Sequence, residues 1–424
     1  MSIASWRPHK ASRATARRLG WGLADQAVSS ITNFVLGLVV ARSLGATAFG
    51  AFSLAWVTYG VVLNVSRGVA TDPLTVRYSG AADARWRAAA SKAASTAVVV
   101  GVAFGVLSVV GGLAIAGAVG PSFVALGITL PGLMLQDSWR YAFFASGQGN
   151  RAFLNDAVWA VGLVPAMLLA DAAGTSFDFV LAWGGAAALA AGFGCLQTRC
   201  LPRAHGIVGW LGEHRALGTR YAVENLSDSA SAQIRLTGLG LISGLAAVGA
   251  VRGAQLLQGP FIALRMGISL MAVPEAARVL ERRPHRLTTF CALLGGSQAA
   301  AGLVWGGLLL VLPTTVGTLM LGSLWPAAIA LIIPTTVVMA LGCLFDGAFV
   351  GLRALGVARR SLRAQVTRAL AGVVLGLAGA SVGGASGMLW GAAVASLIGV
   401  VVVWTQLRAA VRTHPAVEPL TTSE

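Results

Sequence analysis

Of the ionisable side chains in the long apolar runs of this 424-residue sequence, ten are the most informative: Asp25, Arg67, Asp137, Arg140, Glu224, Asp228, Arg235, Arg252, Arg265 and Asp346. A charge inside hydrocarbon is expensive, so each must face protein or a wet cavity. Arginine keeps its proton, and its planar fork matches phosphate oxygens. Arg235, Arg252 and Arg265 around a wet cavity would hold an anionic headgroup, and Arg67 offers the same group from the first half. The structural alternatives are pairing with a carboxylate, as Arg140 with Asp137 one turn away, or snorkelling to an interface. Arg235 lies near mid-membrane, where snorkelling is hardest. Glu224 and Asp228 are also one turn apart, and two such carboxylates repel unless a proton, Na⁺ or arginine intervenes. With Asp25 they are the candidates for ion coupling, the alternative being that they neutralise arginines and fix helix packing. Asp137 and Asp346 fall near helix ends, where capping or latching is the expected work. No catalytic group and no metal site is expected.

The elements that must position these groups are membrane helices. The chain is 56% hydrophobic and 11% charged, with mean hydropathy +0.76, so lipid must solvate most of it. Its formal charge of +16 sits between the apolar runs, where it sets topology, and nucleic acid is not an expected partner. About twelve spans are predicted, near 19–42, 49–70, 93–118, 122–147, 153–171 and 177–199, then 219–245, 248–275, 286–312, 316–350, 364–384 and 386–407. Cations follow the second, fourth, sixth, eighth, tenth and twelfth, while the connections at 119–121, 172–176, 313–315 and 385 carry none. By the positive-inside rule both termini are cytoplasmic. The basic stretches 82–96 and 274–287 are expected on the inner leaflet, and Trp6, Trp210 and Trp404 as interfacial anchors. Residues 1–18 read as a basic cytoplasmic leader, 201–218 as an inter-lobe linker and 409–424 as a cytoplasmic tail. The span after the leader is too long and polar for a cleaved signal.

The halves repeat. Asp25 and Glu224, Ser29 and Asp228, Thr32 and Ser231, Gly45 and Gly244, and Gly50 and Gly249 all stand 199 residues apart. Asp137 and Asp346, Ala145 and Ala354, and Gly147 and Gly356 stand 209 apart, and Arg67 and Arg265 stand 198 apart. Two matches in order argue for a duplicated chain with lobes at 19–200 and 219–408. Transporters commonly follow this plan, with the site between the halves. The four cysteines show no metal spacing, the histidines fall outside the spans, and no GxxxxGK[ST] loop offers direct ATP drive.

The run GLADQAVSSITNFVLGLVVARSLGATAFGAFSLA, followed by RGVATDPLTVRYSG and QDSWRYAFFASGQGNRAFLNDAVW, resembles polysaccharide transporters of the O-antigen-flippase type. These belong to the multidrug/oligosaccharidyl-lipid/polysaccharide exporter (MOP) superfamily. The resemblance covers about the first 160 residues and implies an all-α, two-lobed, V-shaped bundle in the bacterial inner membrane. It further implies alternating-access movement of a lipid-linked oligosaccharide, coupled to H⁺ or Na⁺ without a bound cofactor. The implied partners are a lipid-linked glycan, membrane lipids, and the glycosyltransferases or polymerase of a polysaccharide pathway. Lipid II flippases of the superfamily carry two further helices, for which this chain has no room. The competing functions are a cation-coupled multidrug exporter on the same scaffold and, less favoured, a membrane glycosyltransferase or ligase. An enzyme of that kind needs an acid/base pair and a large external loop, and the outer turns here are short.

Overall fold

In a computed structural model, residues 9–79, 83–203 and 206–413 are described, with side chains apart from 9–19, 23, 83, 216–217, 219–228, 269–271 and 358. The described residues are helices joined by short turns. In order these are α1 (His9–Ser43), α2 (Ala46–Ser66), a π-helical turn (Arg67–Thr71), α3 (Asp72–Tyr78), α4 (Asp83–Ala114), α5 (Val119–Ala145), α6 (Gly149–Ala173) and α7 (Ser176–Thr198). Then follow α8 (Ile207–Ser243), α9 (Leu245–Leu257), α10 (Gly259–Arg282), α11 (Leu287–Leu310), α12 (Thr314–Leu321), α13 (Trp325–Ile329), α14 (Ile332–Ala354) and α15 (Ala358–Arg412).

Among the described residues, ten helices are long and apolar enough to cross a membrane. The 55-residue α15 is two passages, because Gly383 and Gly384 leave helical geometry and Gly384 takes φ +55, a conformation that a side chain would strain. The 37-residue α8 is long enough for a further passage, and counting it matches the expected twelve. Two expected spans are interrupted. The one at 248–275 breaks at Gln258, because Pro260 in the first turn of α10 has no N–H to continue α9. The one at 316–350 is built from α12, a 3₁₀ turn at Gly322–Leu324, α13 and α14. Elsewhere the turn chemistry is local. Gly174, at φ +73, ends α6, and the Thr175 hydroxyl accepts from the Asp178 N–H at 3.3 Å to start α7.

The chain divides into two compact units: Met1–Leu36 with Thr58–Leu226, and Gly37–Val57 with Ser227–Glu424. In the first unit, Trp86, Trp139, Phe143 and Trp210 form the aromatic centre of one core. Two expectations are corrected here. Residues from Asp83 onward do not lie along a leaflet, because they run unbroken into the membrane helix α4 and bury Trp86, Ala90, Ala93 and Ala94. Trp210 is no interfacial anchor. It is 1% exposed, its indole N–H donates to the Val69 carbonyl at 3.1 Å, and its ring stacks on Tyr78; residues 207–218 of the expected inter-lobe linker are the start of α8.

In the second unit, Leu287, Phe345, Leu352, Val403 and Leu407 form a core. The 199-residue repeat becomes physical contact within this unit. A Cβ on Gly50 would stand 2.0 Å from the Leu245 carbonyl oxygen, and one on Gly249 would stand 2.2 Å from the Ala46 oxygen. Ala46 and Leu245 are themselves repeat mates, so the contact is reciprocal, and only glycine lets the backbones approach so closely.

Candidate functional site

The first unit carries a buried polar network at the level where α1, α5 and α6 meet. Asp25 on α1 is fully buried and Asp156 on α6 is 1% exposed. Arg140 on α5 lies between them, donating from Nε and Nη2 to Asp25 Oδ2 at 2.8 and 2.5 Å and standing 3.3 Å from Asp156 Oδ2. Gln136, one turn before Arg140, donates to Asp156 Oδ1 at 2.8 Å. Asn155 in turn donates to the Ala190 carbonyl at 2.8 Å, which ties the network to α7. Two carboxylates around one guanidinium leave one negative charge when both are ionised. Asp25 Oδ1 takes no hydrogen bond among the described residues. A proton or a small cation here would restore neutrality where an uncompensated charge is costly.

A second pair lies beside this network. Arg67, in the π turn after α2, forks onto Asp137 of α5, Nε to Oδ2 at 3.0 Å and Nη2 to Oδ1 at 2.7 Å, with its guanidinium over the Tyr141 ring. The second unit repeats it. Arg265 of α10 donates from Nη1 to Asp346 Oδ2 of α14 at 2.7 Å. Each half thus joins an arginine of its second membrane passage to an aspartate of its fourth, the residues that the two sequence echoes relate.

The second unit also contains a cavity of about 230 Å³ that includes Ser231, Arg235, Arg368, Gly372 and Ser396 in its lining. Arg235, on α8, donates to Ser231 Oγ one turn earlier at 3.2 Å. Glycine makes the room: a Cβ on Gly372 would meet Arg235 Nη1 at 2.9 Å, and one on Gly376 its Cδ at 2.8 Å. Arg368 is held by the Phe345 ring, 4.2 Å beneath its Cζ. Two guanidinium forks and two hydroxyls among alanine and valine methyls form a surface suited to phosphate oxygens.

Nine-tenths of the chain and more superposes on solved membrane transporters. It matches a lipid II flippase, MurJ, in an inward closed conformation (TM-score 0.70, 9% identity, 90% of this chain and 87% of that one). An inward-facing multidrug resistance MATE family transporter of the MOP superfamily matches at TM-score 0.66 with 13% identity, over 95% and 96% of the two chains. A MOP superfamily transporter from Pyrococcus furiosus matches at TM-score 0.59 with 14% identity, over 94% and 96%. The chain shares the fold of these transporters. No protein-family profile matches it, and no curated protein matches it in sequence.

On that fold the expected site residues separate. Arg235 lines a cavity. Arg67 and Arg265 each face an aspartate. Arg252, on α9, donates to Gln255 Oε1 at 2.9 Å and keeps a buried Nε without a hydrogen-bond partner among the described residues. The side chains of Glu224 and Asp228 lie outside the described residues. Arg140 pairs with Asp25 and Asp156 and not with Asp137, because Asp137 is turned to Arg67. Two groups of these sites, Asp156 and Arg368, are additional to those read from the sequence.

Proposed function

We propose that this chain is an alternating-access flippase that carries an isoprenoid-pyrophosphate-linked oligosaccharide across the bacterial cytoplasmic membrane, driven by H⁺ or Na⁺. The carrying observation is the cavity holding Arg235 and Arg368. A pyrophosphate must leave bulk water to cross an apolar bundle, and two fixed guanidinium forks with the hydroxyls of Ser231 and Ser396 replace part of its hydration. Arg235 and Arg368 make the substrate contacts. The Arg67–Asp137 and Arg265–Asp346 pairs hold the second and fourth passages of their own units in register.

Coupling belongs to Asp25 and Asp156 around Arg140, where one more positive charge is needed for neutrality. The cations that follow every even-numbered passage support cytoplasmic termini. A flippase for lipid II among the structural neighbours supports a lipid-linked glycan as cargo. Glycosyltransferases and a polymerase of the same pathway are the partners that such cargo requires.

The test is export of surface glycan in cells. Arg235→Ala and Arg368→Ala should each reduce it at least about tenfold, the loss of one charge-assisted fork, with the protein still present in the membrane. Normal export in both variants overturns the reading. A second reading is favoured by the buried carboxylates and the multidrug neighbours: cation-coupled drug export. It predicts raised sensitivity to cationic dyes on deletion, with unchanged glycan.

A further inference from the structure

Where the start of α4, the start of α6 and the end of α7 meet in the first unit, a second cavity of about 430 Å³ is lined by Arg87, Arg151, Arg199, Gln148 and Gln197 among others, and Gln197 accepts from Asn155 Nδ2 at 3.1 Å. The arginines come from the start of α4, the first turn of α6 and the residue that ends α7. No acidic residue belongs to the described lining. We infer that this cavity binds the phosphodiester of an anionic lipid headgroup, a site distinct from the transport cavity and independent of what is transported.

Three features carry the inference. First, the three arginines are exposed, and Arg151 is held in place. Arg151 donates from Nη1 to the Gln197 carbonyl at 3.2 Å, and Gln197 donates from Nε2 to the Arg151 carbonyl at 3.3 Å, which locks α6 to α7. Second, Arg199 is the single non-glycine residue at positive φ (+53) among the described residues. Glycine would terminate α7 there without strain, yet a guanidinium is carried into the cavity instead. Third, α6 begins in the cavity with Gln148 as its N-cap and no side chain capping it, so the helix end adds uncompensated N–H groups that favour an anion. The arginines and the helix end suit a phosphate. The volume is that of a small-molecule site.

The test uses the full chain, purified and reconstituted in nanodiscs of phosphatidylcholine with or without phosphatidylglycerol. Native mass spectrometry reads retained phosphatidylglycerol, and thermal unfolding reads stabilisation. Wild type should retain phosphatidylglycerol over phosphatidylcholine. Arg199→Gly, which relieves the backbone and removes the fork, and Arg87→Gln should each weaken retention about tenfold, one charge-assisted interaction. Arg199→Gly should do so without lowering the unfolding temperature in phosphatidylcholine alone, which separates a lost site from a damaged fold. Displacement by millimolar glycerol phosphate would identify a soluble phosphate as an equal occupant of the same site; resistance to it assigns the lipid. Equal retention by wild type and both variants, or no preference for phosphatidylglycerol, overturns the inference.

Discussion

At the scale of single residues, the same ion pair does different work in the two halves because its surroundings differ. Asp137 is 6% exposed and Asp346 38% exposed. Removing the partner of the first leaves a buried carboxylate, a change of about 3–5 kcal/mol, whereas water can solvate the second. Arg67→Ala should therefore lower the unfolding temperature of the purified protein far more than Arg265→Ala, by differential scanning fluorimetry in detergent; equal shifts would contradict the burial argument. Asp25→Asn and Asp156→Asn each remove the surplus negative charge around Arg140. Either should leave the protein folded and abolish the dependence of transport on the ion gradient, measured as export against imposed ΔpH or ΔNa⁺; an unchanged gradient response would remove coupling from this network.

Residue identity was readable from the sequence where a charge interrupts an apolar run without excuse, as at Asp25 and Arg235. It was hidden where a bland role was available. Asp156 lies four residues into an expected span and reads as an acid in the first turn of a helix, which the helix dipole favours anyway. Arg368 stands near the start of another and reads as a snorkelling interfacial arginine. Pairing was also hidden: Arg140 and Asp137 are one turn apart, but tertiary structure gives each a stronger partner on another helix.

At the scale of elements, span count and most boundaries follow from hydropathy, because a helix that crosses a membrane has no choice about its backbone hydrogen bonds. The misread segments are those whose amphipathy is used against protein and not lipid. The stretch around Trp86 looks like a surface helix, yet its apolar face packs on Phe143 and Trp139 in the first core. The glycines of the repeat make a specific prediction. Gly50→Ala or Gly249→Ala places a Cβ within about 2.2 Å of a backbone oxygen in the second unit. Backbone must move, and each substitution should destabilise by about 1–3 kcal/mol. The alanine change at Gly45, which has nothing within 4 Å, serves as the control and should be silent in the same unfolding measurement.

At the scale of the whole molecule, the buried Asp25–Arg140–Asp156 network lies in one unit and an arginine-lined cavity in the other. In the proposed function, that division would let one chain couple an inward cation to an outward anion. The measurement that tests it most directly is transbilayer movement of a fluorescent isoprenoid-pyrophosphate oligosaccharide in proteoliposomes under an imposed proton or sodium gradient. Wild-type protein should accelerate movement, and Arg235→Ala with Arg368→Ala should return it to the rate of protein-free liposomes. Wild-type rates in the double variant would contradict the account.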